Sequence, residues 1–245
     1  MDSSPNINYI EIVENLADNF IKNPVDYVTE SDIQVHLVHM IREALGKINA
    51  ENSKIANENT KPLEPEEDKK PAYYKELYFE KIKNKLNSNK FINRVHTEVS
   101  IKTGRRIDIV IFYPTLKKQI TWVRRGSKRF DKSDVEVAFE LKFIKNKYNV
   151  SMSKSEINLK ENKIESDIDD LGELDNSKKF LLIFSNNNYL YHNPSKEEKE
   201  QRNGEYLSRG EKAREILKQK CENNQINLLY VYPLGKEWIY RTSRK

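Results

Sequence analysis

The run "KKFLLIFSN" at 178–186 constrains this chain most. It is a continuous apolar stretch of strand length with no alternation, and a strand of that kind needs cover on both faces. Cover of that sort comes from helices, and the chain supplies them. "YIEIVENLADNFIKNP" carries Ile10, Val13, Leu16, Ala17 and Phe20 at helical spacing, with Pro24 after its end. "TESDIQVHLVHMIREALGKI" offers Thr29 or Ser31 as N-cap, Glu30 and Asp32 near the first turn, and a stripe of Ile33, Leu37, Met40, Ile41, Ala44 and Leu45. "YYKELYFEKIKNKLNS" predicts a third helix, "SKSEINLKENKIESDIDDLGEL" a long polar one with Ile157, Ile164, Ile168, Leu171 and Leu174 inward, and "RGEKAREILKQKCEN" a last one.

Between them lie alternating stretches. "RVHTEVSIK" and "RIDIVIFY" flank Gly104–Arg105 and should pair as an antiparallel hairpin. "DVEVAFELKF" is a third strand, and "INLLYVYPL" follows as the last, before "EWIYRTSRK" closes the chain. The order implies an α/β fold with a mixed central sheet flanked by helices. At 245 residues a single domain over 1–245 is expected, elaborated by a flexible polar loop at 49–70 and a basic insertion at 114–133 that includes a short strand at Ile120–Val123.

Charge is unevenly spread. Between Lys90 and Arg129 eleven Lys/Arg stand against two acids, Glu98 and Asp108. Such a concentration suits a polyanion, nucleic acid first, though a solvated basic surface has the same composition. Within it "WVRRGSKRF" sets Trp122 beside Arg124, Arg125, Lys128 and Arg129, which suits backbone phosphate and a stacked base. Arg105 and Arg106 belong to the same group. No apolar stretch reaches the ~18 residues of a membrane span, and no basic start followed by an apolar run suggests secretion. Cys221 is the only cysteine, so a cytoplasmic setting is expected and a cysteine-based zinc site is excluded within one chain. His36 and His39 have no His-rich partner motif, and no G-x-x-x-x-G-K-[ST] marks a phosphate loop.

Three charges interrupt the strand patterns. Asp108 shares a face with Val110 and Phe112, opposite Ile107, Ile109 and Ile111. Glu140 and Lys142 share a face with Glu136 and Ala138, opposite Val135, Val137, Phe139, Leu141 and Phe143, and stand about 7 Å apart along the strand. If the two strands are neighbours, Asp108 lies beside Glu140. Two carboxylates that close repel unless a proton or a cation sits between them. A hard divalent ion, Mg2+ or Mn2+, meets that need, brings phosphate oxygens and lowers the pKa of a bound water. A lysine alongside can position or deprotonate that water, or offset charge. The plainer reading is a surface Glu–Lys pair and an isolated Asp.

An Asp on an apolar strand, then Glu-x-Lys on another, then a helix and a strand, resembles the restriction-endonuclease-like superfamily, PD-(D/E)xK. The motifs are "RIDIV" and "AFELKF", and the likeness spans roughly 29–185. Ile107 stands where the motif has proline. The resemblance implies a core of order α-β-β-β-α-β, here with an added helix and strand. It also implies a metal-dependent nuclease that hydrolyses phosphodiester bonds, DNA ahead of RNA, with Asp108 and Glu140 on the metal and Lys142 at the water. The family's helix carboxylate falls best on Glu30, with Gln34 one turn later; Glu76 and Glu80 are the alternatives. Glu98 is a further candidate, or else a cross-strand partner of Arg106. Glu165, Asp167, Asp169 and Asp170 read as a solvated face. The family also allows a homodimer, for which the chain has no heptad or interface motif. Two other readings stay open: a non-catalytic nucleic-acid-binding or assembly module on the same fold, and an enzyme of other chemistry with a carboxylate-bound metal.

Overall fold

The computed structural model describes residues 7–48, 54–56, 60–61, 91–100, 106–114, 120–122, 128–129, 131–144, 164–174, 177–186 and 207–242. The helices are α1 (Tyr9–Lys22), α2 (Glu30–Ile48), α3 (Ile164–Gly172) and α4 (Leu207–Asn223). The first strands are β1 (Lys54–Ala56), β2 (Thr60–Lys61), β3 (Phe91–Asn93), β4 (Val95–Ser100) and β5 (Arg106–Phe112). They are followed by β6 (Ile120–Trp122), β7 (Lys128–Arg129), β8 (Val135–Ile144), β9 (Lys178–Ser185), β10 (Ile226–Tyr232) and β11 (Gly235–Tyr240). The fold is α/β, a mixed open sheet flanked by helices, as the patterns predict.

The residues group into two compact units. One holds Met1–Ile7, Val38–Ala138 and Leu174–Ser177; the other holds Asn8–Leu37, Phe139–Glu173 and Lys178–Lys245. By residue range, α2 and β8 each belong partly to both.

In the first unit the strands run β8-β5-β4-β7-β6-β2. The expected hairpin is there: β4 and β5 are antiparallel, from Val95 opposite Ile111 to Ser100 opposite Arg106. Ile107, Ile109 and Ile111 are buried, but so are Val110 and Phe112. The face that carries Asp108 is therefore covered along its second half, which simple alternation does not anticipate. Arg94, part of the basic stretch, is not on the surface. It is buried, with Nε donating to the Phe112 carbonyl at 2.7 Å and the guanidinium paired with Glu136.

The polar run at 49–70 needs a correction at five residues. Lys54–Ala56 pairs antiparallel with Phe91–Asn93, and Thr60–Lys61 pairs parallel with Ile120–Thr121. Ladder bonds join main chain to main chain and need no apolar side chains, so composition could not reveal them. The predicted helix at 73–88 and the Gly104–Arg105 turn lie outside the described residues.

In the second unit the order is β11-β10-β9-β8. β9 and β10 are parallel, from Lys179 beside Ile226 to Phe184 beside Val231, and Lys179–Ser185 are all buried, as a strand covered on both faces must be. α1 lays Tyr9, Ile12, Val13, Leu16, Ala17 and Phe20 inward, with Ile10 only half-buried at the stripe's margin. Phe20 meets Phe184 and Phe143 edge-on, at 5.1 and 6.1 Å between ring centroids, and Phe139 stacks on Phe180 at 4.9 Å. α3 covers Ile164–Gly172 of the long helix expected; residues 153–163, Ile157 among them, lie outside the described residues, and Leu174 is buried just beyond the end. "INLLYVYPL" is not the last strand. Pro233–Leu234 forms a tight turn, and β11 returns antiparallel with Gly235 opposite Tyr232. Most of β11 is half-exposed, so its short pattern carried no core signature.

Candidate functional site

Glu30 is set in place by the start of α2. The Asp32 N–H donates to Thr29 Oγ1 at 3.2 Å, while the Thr29 N–H and the Val28 N–H donate to Asp32 Oδ2 at 2.7 and 2.9 Å. This is a reciprocal capping box with Asp in the acidic position. It makes Thr29 the cap, and the hydrogen bonds from the Thr29 side chain and backbone hold the Asp32 carboxyl below the usual carboxylate range. Glu30 then occupies the first helical residue, where a negative charge is favoured by the helix dipole.

From there its carboxylate reaches β8. The Phe143 N–H donates to Glu30 Oε2 at 3.2 Å. Amide groups on a strand alternate in direction. The Ile144 carbonyl accepts from the Asn186 N–H at 3.1 Å on one side, and on the other side of the strand Phe143 gives its N–H to a helix carboxylate. The segment that ends β8 is the one carrying Glu140 and Lys142. Glu140 is 3% exposed. A carboxylate buried to that degree must be matched by donors, a cation or a proton. Gln34, one turn along α2, is half-buried.

Lys142 is also engaged. Its Nζ lies 3.0 Å from Asp167 Oδ2 on α3, with the two side chains 18% and 11% exposed. The expectation of a solvated acidic face is therefore wrong for Asp167, which is buried among Ile164, Ile168 and Leu171. The signal was present: positions 164, 167, 168 and 171 form one helical stripe, and an acid within it faces inward. Glu165 bonds Lys220 at 3.0 Å, and Asp169 is exposed. Glu30, Glu140, Lys142 and Asp167 thus all belong to the second unit. Glu76 and Glu80, the other helix candidates, lie outside the described residues.

Asp108 belongs to the first unit. It is half-buried on β5 between Ile107 and Ile109. The register that pairs Thr97 with Ile109 and Val99 with Ile107 leaves Glu98 opposite Asp108. Glu98 takes a left-handed φ of 52°, uncommon for a side-chain-bearing residue within a strand. It also lies 4.0 Å from Arg106 Nη1, the cross-strand pairing that is the alternative to a site role, although both groups are well exposed and such a pair contributes little.

The basic candidates are only partly in view. Arg106 is exposed, while Arg105, Arg124 and Arg125 lie outside the described residues. Lys128 and Arg129 form β7, antiparallel to β6 with Lys128 opposite Trp122. His36 sits against Tyr27, its Nδ1 3.1 Å from the Tyr27 hydroxyl, and His39 is 3.6 Å from Glu43. Among the described residues no group of three or more His, Cys, Asp or Glu side chains is arranged to hold a metal ion, and no helix is long and apolar enough to cross a membrane. Glu30 and Glu140 are of the right hard-oxygen type for Mg2+ or Mn2+, as is Asp108 on its own strand.

Comparison of the chain with protein-family models, curated proteins and solved structures yields no match.

Proposed function

We propose that the chain is a metal-dependent nuclease of restriction-endonuclease-like core that hydrolyses phosphodiester bonds, in DNA ahead of RNA. The observation that carries this reading is the bond from the Phe143 N–H to Glu30 Oε2. It brings a helix-borne carboxylate to the strand that bears buried Glu140 and half-buried Lys142, which supports a role for Glu30 in that site. The carboxylates of Glu30 and Glu140 would hold Mg2+ or Mn2+, and Asp108 enters on the strength of its strand and its motif. Bound there, a divalent ion supplies a water of lowered pKa and positive charge for the phosphate oxygens. Lys142, two residues from Glu140, orients that water or offsets charge that develops on the phosphate. The exposed Arg106 and the basic stretch around β7 would contact the polyanion.

Asp108→Ala, Glu140→Ala and Lys142→Ala are each expected to lower cleavage in Mg2+ or Mn2+ by about 100-fold or more. Cleavage at wild-type rate in all three variants overturns the reading. The engagement of Lys142 by Asp167 favours a second reading, a binding module on the same fold in which the charged strand face serves packing. Binding with a steep salt dependence and no cleavage of any nucleic acid in either metal would favour it.

A further inference from the structure

We infer that Asp167 is the positioning residue for Lys142, holding its ammonium in the orientation the reaction needs; this rests on the nuclease reading above. Lysine has four rotatable side-chain bonds and a compact charge, so a bare lysine beside a reacting water samples many poses. Asp167 restricts it: Nζ and Oδ2 are 3.0 Å apart in a largely buried setting, where an ion pair is little screened.

A positioning residue must itself stand on something rigid, and α3 does. Ile164, Ile168 and Leu171 bury the helix on either side of Asp167 in sequence. Glu165 ties its start to α4 through Lys220 at 3.0 Å. Its end comes so close to the turn after α4 that a Cβ added at Gly172 would sit 2.6 Å from Asn224 Oδ1. Asn224 is held in turn, with Nδ2 donating to the Lys220 carbonyl at 2.9 Å. The same lysine therefore ties the start of α3 by its ammonium and, by its carbonyl, holds the asparagine that lies against the helix's end. Asp167 reaches no reacting atom in this scheme; it acts through Lys142.

The test compares wild type, Lys142→Met, Asp167→Asn and the double variant in a Mg2+ or Mn2+ cleavage assay, scored per folded molecule by circular dichroism. Asp167→Ser replaces Asp167→Asn if the latter does not fold. Asp167→Asn is expected to lower kcat by about 10- to 100-fold with little change in KM. Added to Lys142→Met it should cost nothing further, because the residue it serves is gone. A purely structural pair would change the melting temperature and leave kcat of the folded variant alone. Wild-type cleavage that is lost in Lys142→Met but kept in Asp167→Asn overturns the positioning role and leaves the nuclease reading standing. Absence of wild-type cleavage overturns the nuclease reading, and this inference falls with it.

Discussion

Arg94 shows how far a side chain's role can depart from its composition class. Counted as one of eleven basic residues, it looked like part of a polyanion surface, yet it is buried and neutralised by Glu136. Removing one partner of such a pair leaves a buried charge uncompensated. Glu136→Gln, which leaves buried Arg94 without its counter-charge, is expected to destabilise the protein by about 3 kcal/mol in urea denaturation. A loss within about 0.5 kcal/mol, the range of ordinary surface changes, would show the pair to be incidental. Asp167 is the converse case. Composition groups it with surface acids, but its spacing within an apolar stripe marks it as inward. Asp108, Glu140 and Lys142 were legible because each breaks an apolar strand pattern. The lysine's partner was not, since no local rule says which helix residue meets a strand some twenty-five positions away.

At the scale of elements, the start of α2 is set by its own side chains. The Thr29–Asp32 box fixes it, and with it the position of Glu30. Thr29→Ala is expected to lower the melting temperature by about 2–4 °C at neutral pH. Asp32 carries a pH signature of known sign. Its folded pKa is lowered, so the stability it contributes is present above the ordinary aspartate range and is lost as pH falls through the lowered value. The difference between wild type and Asp32→Asn should therefore shrink in acid; a difference independent of pH would refute the box as its origin. Other elements were less legible. β1, β2 and β11 have weak patterns, because short or half-exposed strands depend on a neighbour's backbone and not on their own side chains.

The chain's one cysteine reports on the molecule as a whole. Cys221 is buried on α4, and burial pushes its thiol up to about 12. The thiolate is the reactive form, so a neutral or mildly alkaline solution holds almost none of it in the folded state. Labelling by a disulfide reagent at pH 8 should be slow in native buffer, limited by opening of the structure, and prompt in urea. Fast stoichiometric labelling of the native protein would contradict this packing. The α/β class was determined by sequence alone. One continuous apolar strand demands cover on both faces, and amphipathic helices stand before and after it. So were the hairpin of β4 and β5 and the residues that interrupt the strand patterns, since periodicity of two or 3.6 is a local property. Only the tertiary structure decided that Glu30 meets the Phe143 amide, that Asp167 meets Lys142 and that Arg94 is internal. Those contacts join residues 113, 25 and 42 positions apart. Such pairings are selected by the packing of whole elements, and no local pattern encodes them.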